Sequence, residues 1–265
     1  MKKIVFILLA YFLFSGSILA KTKIIKDTYY EGEIKFYHLK YKLPDGKWLS
    51  LGKHTWHAGE IPNIGISCID FIQLEKKVYK AGIEICEVHT SGTYTNYIGM
   101  YLNREWIKGK YDSCLLRPEY FYAKLWTKGM ASNCFLTRHI DTNKELYFPD
   151  DPEDNAAHAK KIIKEYGIIL PKTVLTSGHF YYAPNVRDKG YIVGYSINPE
   201  FFGAPKTLFG DENASEYHRN NIDKYPEKKK FMANWTKESA KRHQEFELRL
   251  KAKGKHKLSF DDLGL

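Results

Sequence analysis

Three stretches of this chain carry side chains able to do chemistry. The first, His54-Thr55-Trp56-His57-Ala58-Gly59-Glu60, holds two imidazoles and a carboxylate. On a helix His54, His57 and Glu60 would share a face, as metal ligands do. On the strand or loop expected here, His54 and His57 point to opposite sides. A mononuclear zinc site needs three or four convergent ligands, so the stretch reads as a loop with exposed histidines, with no metal or cofactor assigned. The second, Arg138, His139 and Asp141, precedes the turn at Thr142-Asn143. A histidine beside an aspartate can be a general base held in one tautomer. No elbow-type serine motif accompanies it, and the expectation is a polar strand end. The third, Asp150-Asp151-Pro152-Glu153-Asp154, lacks the alternating ligands and glycine of a calcium loop. Helix capping accounts for it: Asp151 as N-cap, Pro152 at the first helical position, and Glu153 and Asp154 at the positive end of the dipole.

His179 stands among Phe180, Tyr181 and Tyr182 and is expected to pack on a sheet. The aromatic run from Tyr120-Phe121-Tyr122 to Trp126 would suit stacking on a sugar, yet cross-strand aromatic pairing explains the same composition. No catalytic residue emerges.

The four cysteines are Cys68, Cys86, Cys114 and Cys134, and none forms a C-x-x-C pair. An even number in an exported chain reads as two disulfides with three possible connectivities. Sequential pairing, Cys68–Cys86 and Cys114–Cys134, suits neighbouring antiparallel strands. It closes loops of about twenty residues, each contributing ~3 kcal/mol.

Export is expected from the N-terminus. Lys2 and Lys3 precede the uncharged apolar run Ile4–Phe14, and Ser15-Gly16-Ser17 and Ala20 offer small residues for cleavage before Lys21. Residues 1–20 are therefore read as a signal peptide, which places the processed protein in a periplasm or outside the cell. The about 245 residues that follow suffice for a real hydrophobic core.

The elements that must position these groups are mostly strands, as 20 Tyr and 15 Phe suggest. Residues 31–43 alternate, with Tyr37, Leu39, Tyr41 and Leu43 on one face. Pro44-Asp45-Gly46 supplies turn chemistry and Lys47–Leu51 returns, so a hairpin is expected. Residues 64–74 and 81–90 form another pair around Glu75-Lys76-Lys77, with Cys68 and Cys86 at comparable distances from the turn. Strands are also expected at 94–101, 120–126, 174–183 and 191–197. Helical spacing of Ala156, Ala159, Ile163 and Tyr166, stopped by Gly167, predicts a helix over 152–166. Phe231, Trp235, Phe246 and Leu250 form the stripe of a second, over 229–252. The fold class is α+β: an antiparallel β-rich body with one central amphipathic helix and a basic C-terminal helix. The organisation is a body at 21–225, a basic helix at 226–258 packed on it, and a tail at 259–265.

Charge is lopsided. Residues 226–257 hold 11 Lys or Arg against 4 Glu, a net of +7, whereas residues 21–225 are close to balanced. If the aromatic stripe docks, Lys237, Lys241, Arg242, Lys251, Lys253 and Lys255 remain on the outer side or at the end. That surface could meet anionic lipid, lipopolysaccharide or another acidic polymer, or it could simply keep the helix soluble.

Several landmarks recur in a set order: the signal peptide, Leu43-Pro44-Asp45-Gly46-Lys47-Trp48, Tyr166-Gly167 with Leu170-Pro171, Ile197-Asn198-Pro199-Glu200 with Gly203, and the late Trp235 helix. In this order the chain resembles a family of exported proteobacterial proteins, chiefly alphaproteobacterial, that has no established activity. The resemblance implies export and this organisation, and carries over no site. The functional expectation is a non-enzymatic periplasmic binding or interaction protein. The alternative is a secreted hydrolase whose site is assembled from scattered His and carboxylate residues.

Overall fold

The strands at Ile64–Glu75 and Val78–Thr90 set the architecture. Ile66 and Cys68 are buried on one face of the first, Ile69 and Phe71 on the other, so this strand must lie inside a sheet covered on both sides. A computed structural model, describing residues 24–37, 39–57, 64–90, 120–128, 131–142, 155–183, 189–211 and 213–251, places it there.

Ten strands are described: β1 (Tyr29–Tyr30), β2 (Glu33–Phe36), β3 (Leu39–Lys42), β4 (Trp48–His57), β5 (Ile64–Glu75), β6 (Val78–Thr90), β7 (Tyr120–Lys128), β8 (Ala131–Asp141), β9 (Thr173–Ala183) and β10 (Lys189–Ile197). The helices are α1 (Asn155–Tyr166) and α2 (Pro226–Lys251). Eight strands form one antiparallel sheet in the order β1-β4-β5-β6-β10-β9-β8-β7, and β2 and β3 pair separately. The chain runs as a meander through β4, β5 and β6, begins again at the far edge with β7, and returns until β10 meets β6. Lys76 and Lys77 carry the β5–β6 turn at φ 50° and 69°. That is the twist a two-residue hairpin requires, here adopted without glycine.

The two faces have different covers. On one, α1 sets Ile162 against Leu49, Ile72, Tyr79 and Val174. On the other, Met232 and Trp235 of α2, Tyr217 and Ile222 of the preceding segment, and Ile34, Phe36, Tyr41 and Leu43 of β2–β3 and the residue after it close over Ile69, Phe71, Ile83, Ile85 and Val193. Leu250 packs with Tyr181 and Tyr191, and Phe246 is half-buried beside them. Pro226 starts α2 at the position where a missing N–H costs nothing. Among the described residues no helix is long and apolar enough to cross a membrane.

The hairpin expected across Pro44-Asp45-Gly46 does not form. Residues 31–43 fold back on themselves as β2–β3, turning at Tyr37 (φ 48°), and β4 pairs instead with β1 and β5. Ile34, Phe36, Tyr41 and Leu43 are thereby all buried, while Tyr37 stays exposed. The turn at 44–46 serves as a corner, closed by Trp48 Nε1 donating to the Pro44 carbonyl at 2.7 Å and by Gln73 Nε2 donating to the Asp45 carbonyl at 2.9 Å.

Cys68 and Cys86 sit directly opposite one another on β5 and β6 and form a disulfide, Cα–Cα 4.0 Å. Cys134 is buried on β8 opposite Leu125, and no described cysteine is a free thiol. Cys114, the expected strand at 94–101, the capping run 150–154 and the N-terminal 23 residues lie outside the described residues.

Candidate functional site

Two groups of polar side chains stand out because each sits where the sheet should be apolar. The first is on the α1 face. Asp70 of β5 lies directly opposite Glu84 of β6, and His54 of β4 lies opposite Cys68, one cross-strand row away. His54 reaches this face because of a register shift between Ser50 and Gly52. The extra residue of such a bulge reverses the alternation, so that Gly52 and His54, rather than Lys53, fall on the side of Asp70. Gly52 makes the shift possible with φ 98°, a conformation most side chains refuse.

In this patch His54 Nδ1 is 3.1 Å from Asp70 Oδ2, with the two side chains 19% and 26% exposed. One ligand atom from each of His54, Cys68 and Glu84 lies within 4.8 Å of the others, but the Cys68 sulfur is already bonded to Cys86. Burial lowers the basicity of His54, and the hydrogen bond and charge of Asp70, with the charge of Glu84, outweigh it, so the pKa is raised. The Glu84 carboxyl is pushed up to about 7, by burial first and the neighbouring Asp70 charge second, against the pull of His54. Two carboxylates and one imidazole, partly open to solvent, can bind a cation or pass a proton.

The second group lies under α2. β8 presents Asn133, Thr137, His139 and Asp141, and β9 presents Thr173, Ser177 and His179. α2 presents Lys228, Thr236, Ser239, His243 and Glu247, and Glu216 and His218 precede it, all of them buried. Thr137 and Thr236 share a hydrogen bond of 2.8 Å. His179 Nδ1 meets His243 Nδ1 at 3.1 Å, and His179 Nε2 meets Ser177 Oγ at 3.2 Å. Phe135 stacks on both imidazoles at 5.4 and 5.5 Å, and Trp126 stacks on His243 at 6.1 Å. His139 meets His218 edge to face at 5.7 Å. Glu216 and Lys228 form a buried ion pair at 3.0 Å, and Lys228 also donates to the Lys206 carbonyl at 2.8 Å.

Ser177 and His179 have the outline of an activated nucleophile. The third member, however, is an imidazole where a carboxylate would be needed to stabilise an imidazolium. Burial first, and then the charges of His243 and Arg242, hold His179 well below the usual imidazole range. At 1% exposure for both Ser177 and His179, no substrate reaches them. This seam is a helix-docking device.

The structure thus redistributes the residues singled out from sequence. His54 is not on an exposed loop but half-buried on a strand; His57 is the last residue of that strand, and Glu60 is outside the described residues. His139 and Asp141 are not a polar strand end, because α2 and the segment before it bury them, and Arg138 alternates to the other face, over the Tyr120 ring. His179 packs on the sheet. Lys237 and Lys241 are exposed on α2, but Arg242 is turned inward, its guanidinium 5.0 Å from the Trp235 ring and 5.6 Å from that of Tyr195. Lys241 pairs with Glu238 at 2.6 Å, and the side chain of Lys251 and all of Lys253 and Lys255 lie outside the described residues.

Sequence reasoning missed Asp70 and Glu84. Their signal was present: Asp70 is the single carboxylate of Ile64–Leu74, and Glu84 stands between Ile83 and Ile85 in a stretch, Ala81–Val88, whose other carboxylate is Glu87. Only the register makes them neighbours. The chain matches no protein-family model, no curated protein and no solved structure.

Proposed function

We propose that this is an exported, disulfide-stapled binding protein of the periplasm, and that the His54–Asp70–Glu84 patch is where it takes up a cationic ligand. The observation that carries the reading is the patch itself: two opposed carboxylates and one imidazole, partly open, on the sheet face that also carries the buried Ile66 and Ile72. Support for export comes from the charged and apolar start of the chain and from a disulfide between adjacent strands, which persists in an oxidising compartment.

The hydrolase reading rests on the same His54–Asp70 pair, which has the geometry of a general base. It is the weaker of the two. The nearest sulfur nucleophile, Cys68, is locked in the disulfide, and the hydroxyl that bonds an imidazole among the described residues, Ser177, is sealed under α2.

Two measurements test the proposal. Expression of the full chain followed by fractionation and N-terminal sequencing should find the product processed between Ser17 and Lys21, outside the cytoplasm; an intact Met1 on cytoplasmic protein would sink the export claim. Thermal-shift screening of the processed protein should find cations that raise Tm in the parent and not in Glu84→Gln. Turnover of generic ester or phosphate substrates that is lost in His54→Ala would replace binding by catalysis.

A further inference from the structure

The seam under α2 changes character along its length. Over residues 226–236 the helix is held by the main core: Met232 and Trp235 pack with Ile69, Phe71 and Val193, Lys228 pairs with Glu216, and Thr236 bonds Thr137. Over residues 239–251 its support is of another kind. The apolar anchors there are Leu250 and the half-buried Phe246, set against Tyr181 and Tyr191. Between these anchors and Thr236, His243 meets His179 Nδ1 to Nδ1 at 3.1 Å. Asn133, 1% exposed and opposite Tyr181, has both amide atoms without a hydrogen-bond partner among the described residues. A buried amide left unbonded favours opening, because water would bond it.

We propose that residues 239–251 are an acid-released cover: protonation of the His179–His243 pair detaches this half of α2, while residues 226–236 stay docked, and uncovers the sheet face that carries Asn133, Ser177, His179, Tyr181 and Tyr191. A first proton on the pair is a charge sealed among cations. The Arg242 guanidinium lies 5.6 Å from the Tyr195 ring that meets His179 edge to face, and the Lys124 ammonium lies 5.2 Å from the Trp126 ring that stacks on His243. A second proton sets two N–H groups head to head across the same 3.1 Å contact. Detachment lets water solvate both imidazolium ions, which is how protonated histidines reset an interface. The carboxylates facing this half of the seam are Glu247, one helical turn after His243, and Glu87, opposite Tyr191 on β6. Neither is among the groups that set the basicity of His179, which burial first, and then His243 and Arg242, hold down. The other titratable groups belong to the retained half: His139 and Asp141 follow Thr137 on β8, away from the pair, and His218 meets His139 at 5.7 Å.

The test is hydrogen exchange, read by mass spectrometry on the processed, oxidised protein at pH 7 and pH 5, with labelling times scaled for the intrinsic effect of pH. Peptides within 239–251 should lose protection by at least about tenfold at pH 5, the response of one imidazole that titrates only when released. Peptides within 226–236 and in β5 and β6 should keep theirs. In a His179→Phe, His243→Phe double variant the acid loss should disappear. Arg242→Gln brings the folded pKa of His179 back toward the unfolded one and should make the loss smaller; if the double variant fails to fold, this variant decides. Asn133→Leu nearly keeps the volume and removes the unbonded amide, so residues 239–251 should be better protected than in the parent at pH 7; equal protection would overturn the part given to Asn133. A loss spread evenly over α2 and the sheet would be global unfolding and would overturn the cover. So would no loss at all, or a loss that the histidine and arginine variants leave unchanged.

Discussion

The two faces of one sheet treat histidine in opposite ways. Under α2, His179 and His243 are 1% and 0% exposed, joined to each other and stacked on Phe135. Across the sheet, His54 remains reachable beside two carboxylates. The linkage signs are opposite as well. The pKa of His179 is depressed, so its contribution to stability is present above the unfolded value near 6.5 and is lost as pH falls through the folded value. That of His54 is raised, so its contribution is present below that unfolded value and is lost as pH rises through the folded value. The residue type is the same; what differs is whether the neighbours are rings and cations or carboxylates. Full burial among rings makes a histidine part of the scaffold, and partial exposure beside anions makes it a site.

This contrast can be broken at several points. Lys228→Met should have the largest effect, because it leaves Glu216 charged and buried without its partner; a loss of ~3–5 kcal/mol is expected in urea unfolding, as for other broken buried pairs. Replacing Cys68 and Cys86 together by Ala removes a bridge spanning 18 residues and should cost ~3 kcal/mol, with the His54 side of the sheet loosening before the α2 side in hydrogen exchange.

A pH series sharpens the comparison. In the Nδ1–Nδ1 contact one imidazole donates and the other accepts, so protonating the acceptor puts hydrogens on both facing nitrogens. The charge of Arg242, which lies over the Tyr195 ring that His179 meets edge to face, is a further unfavourable one. Unfolding free energy should therefore fall between pH 7 and pH 5. In a His179→Phe, His243→Phe double variant, which keeps the ring stack, that fall should be visibly shallower; an unchanged slope would show that the pair does not titrate on unfolding. The smallest effect belongs to the open face. Glu84→Gln should stabilise the protein at pH 8 by ~0.5–1 kcal/mol, by relieving one opposed like-charge pair.

Much of the scaffold was legible in the residues. Alternation and turn chemistry located the strand pairs at 64–90 and 174–197, and equal spacing from the Glu75-Lys76-Lys77 turn brought Cys68 to Cys86. The spacing of Phe231, Trp235, Phe246 and Leu250 marked a docked helix, observed at Pro226–Lys251. The reading of 31–51 as one hairpin failed because alternation specifies a strand but not its partner: Tyr37 can turn the chain as well as Gly46 does.

The candidate site was decided by tertiary structure. Asp70 and Glu84 are 14 residues apart in the chain. Nothing local joins them to His54, and the side on which His54 falls depends on one bulge at Gly52. In the same way, whether His139, Asp141 and His179 are open or sealed depends on α2, which follows them by more than 40 residues. A sequence encodes periodicity and turns through interactions between near neighbours. Convergence and burial are properties of register and packing, which exist only once distant segments have met.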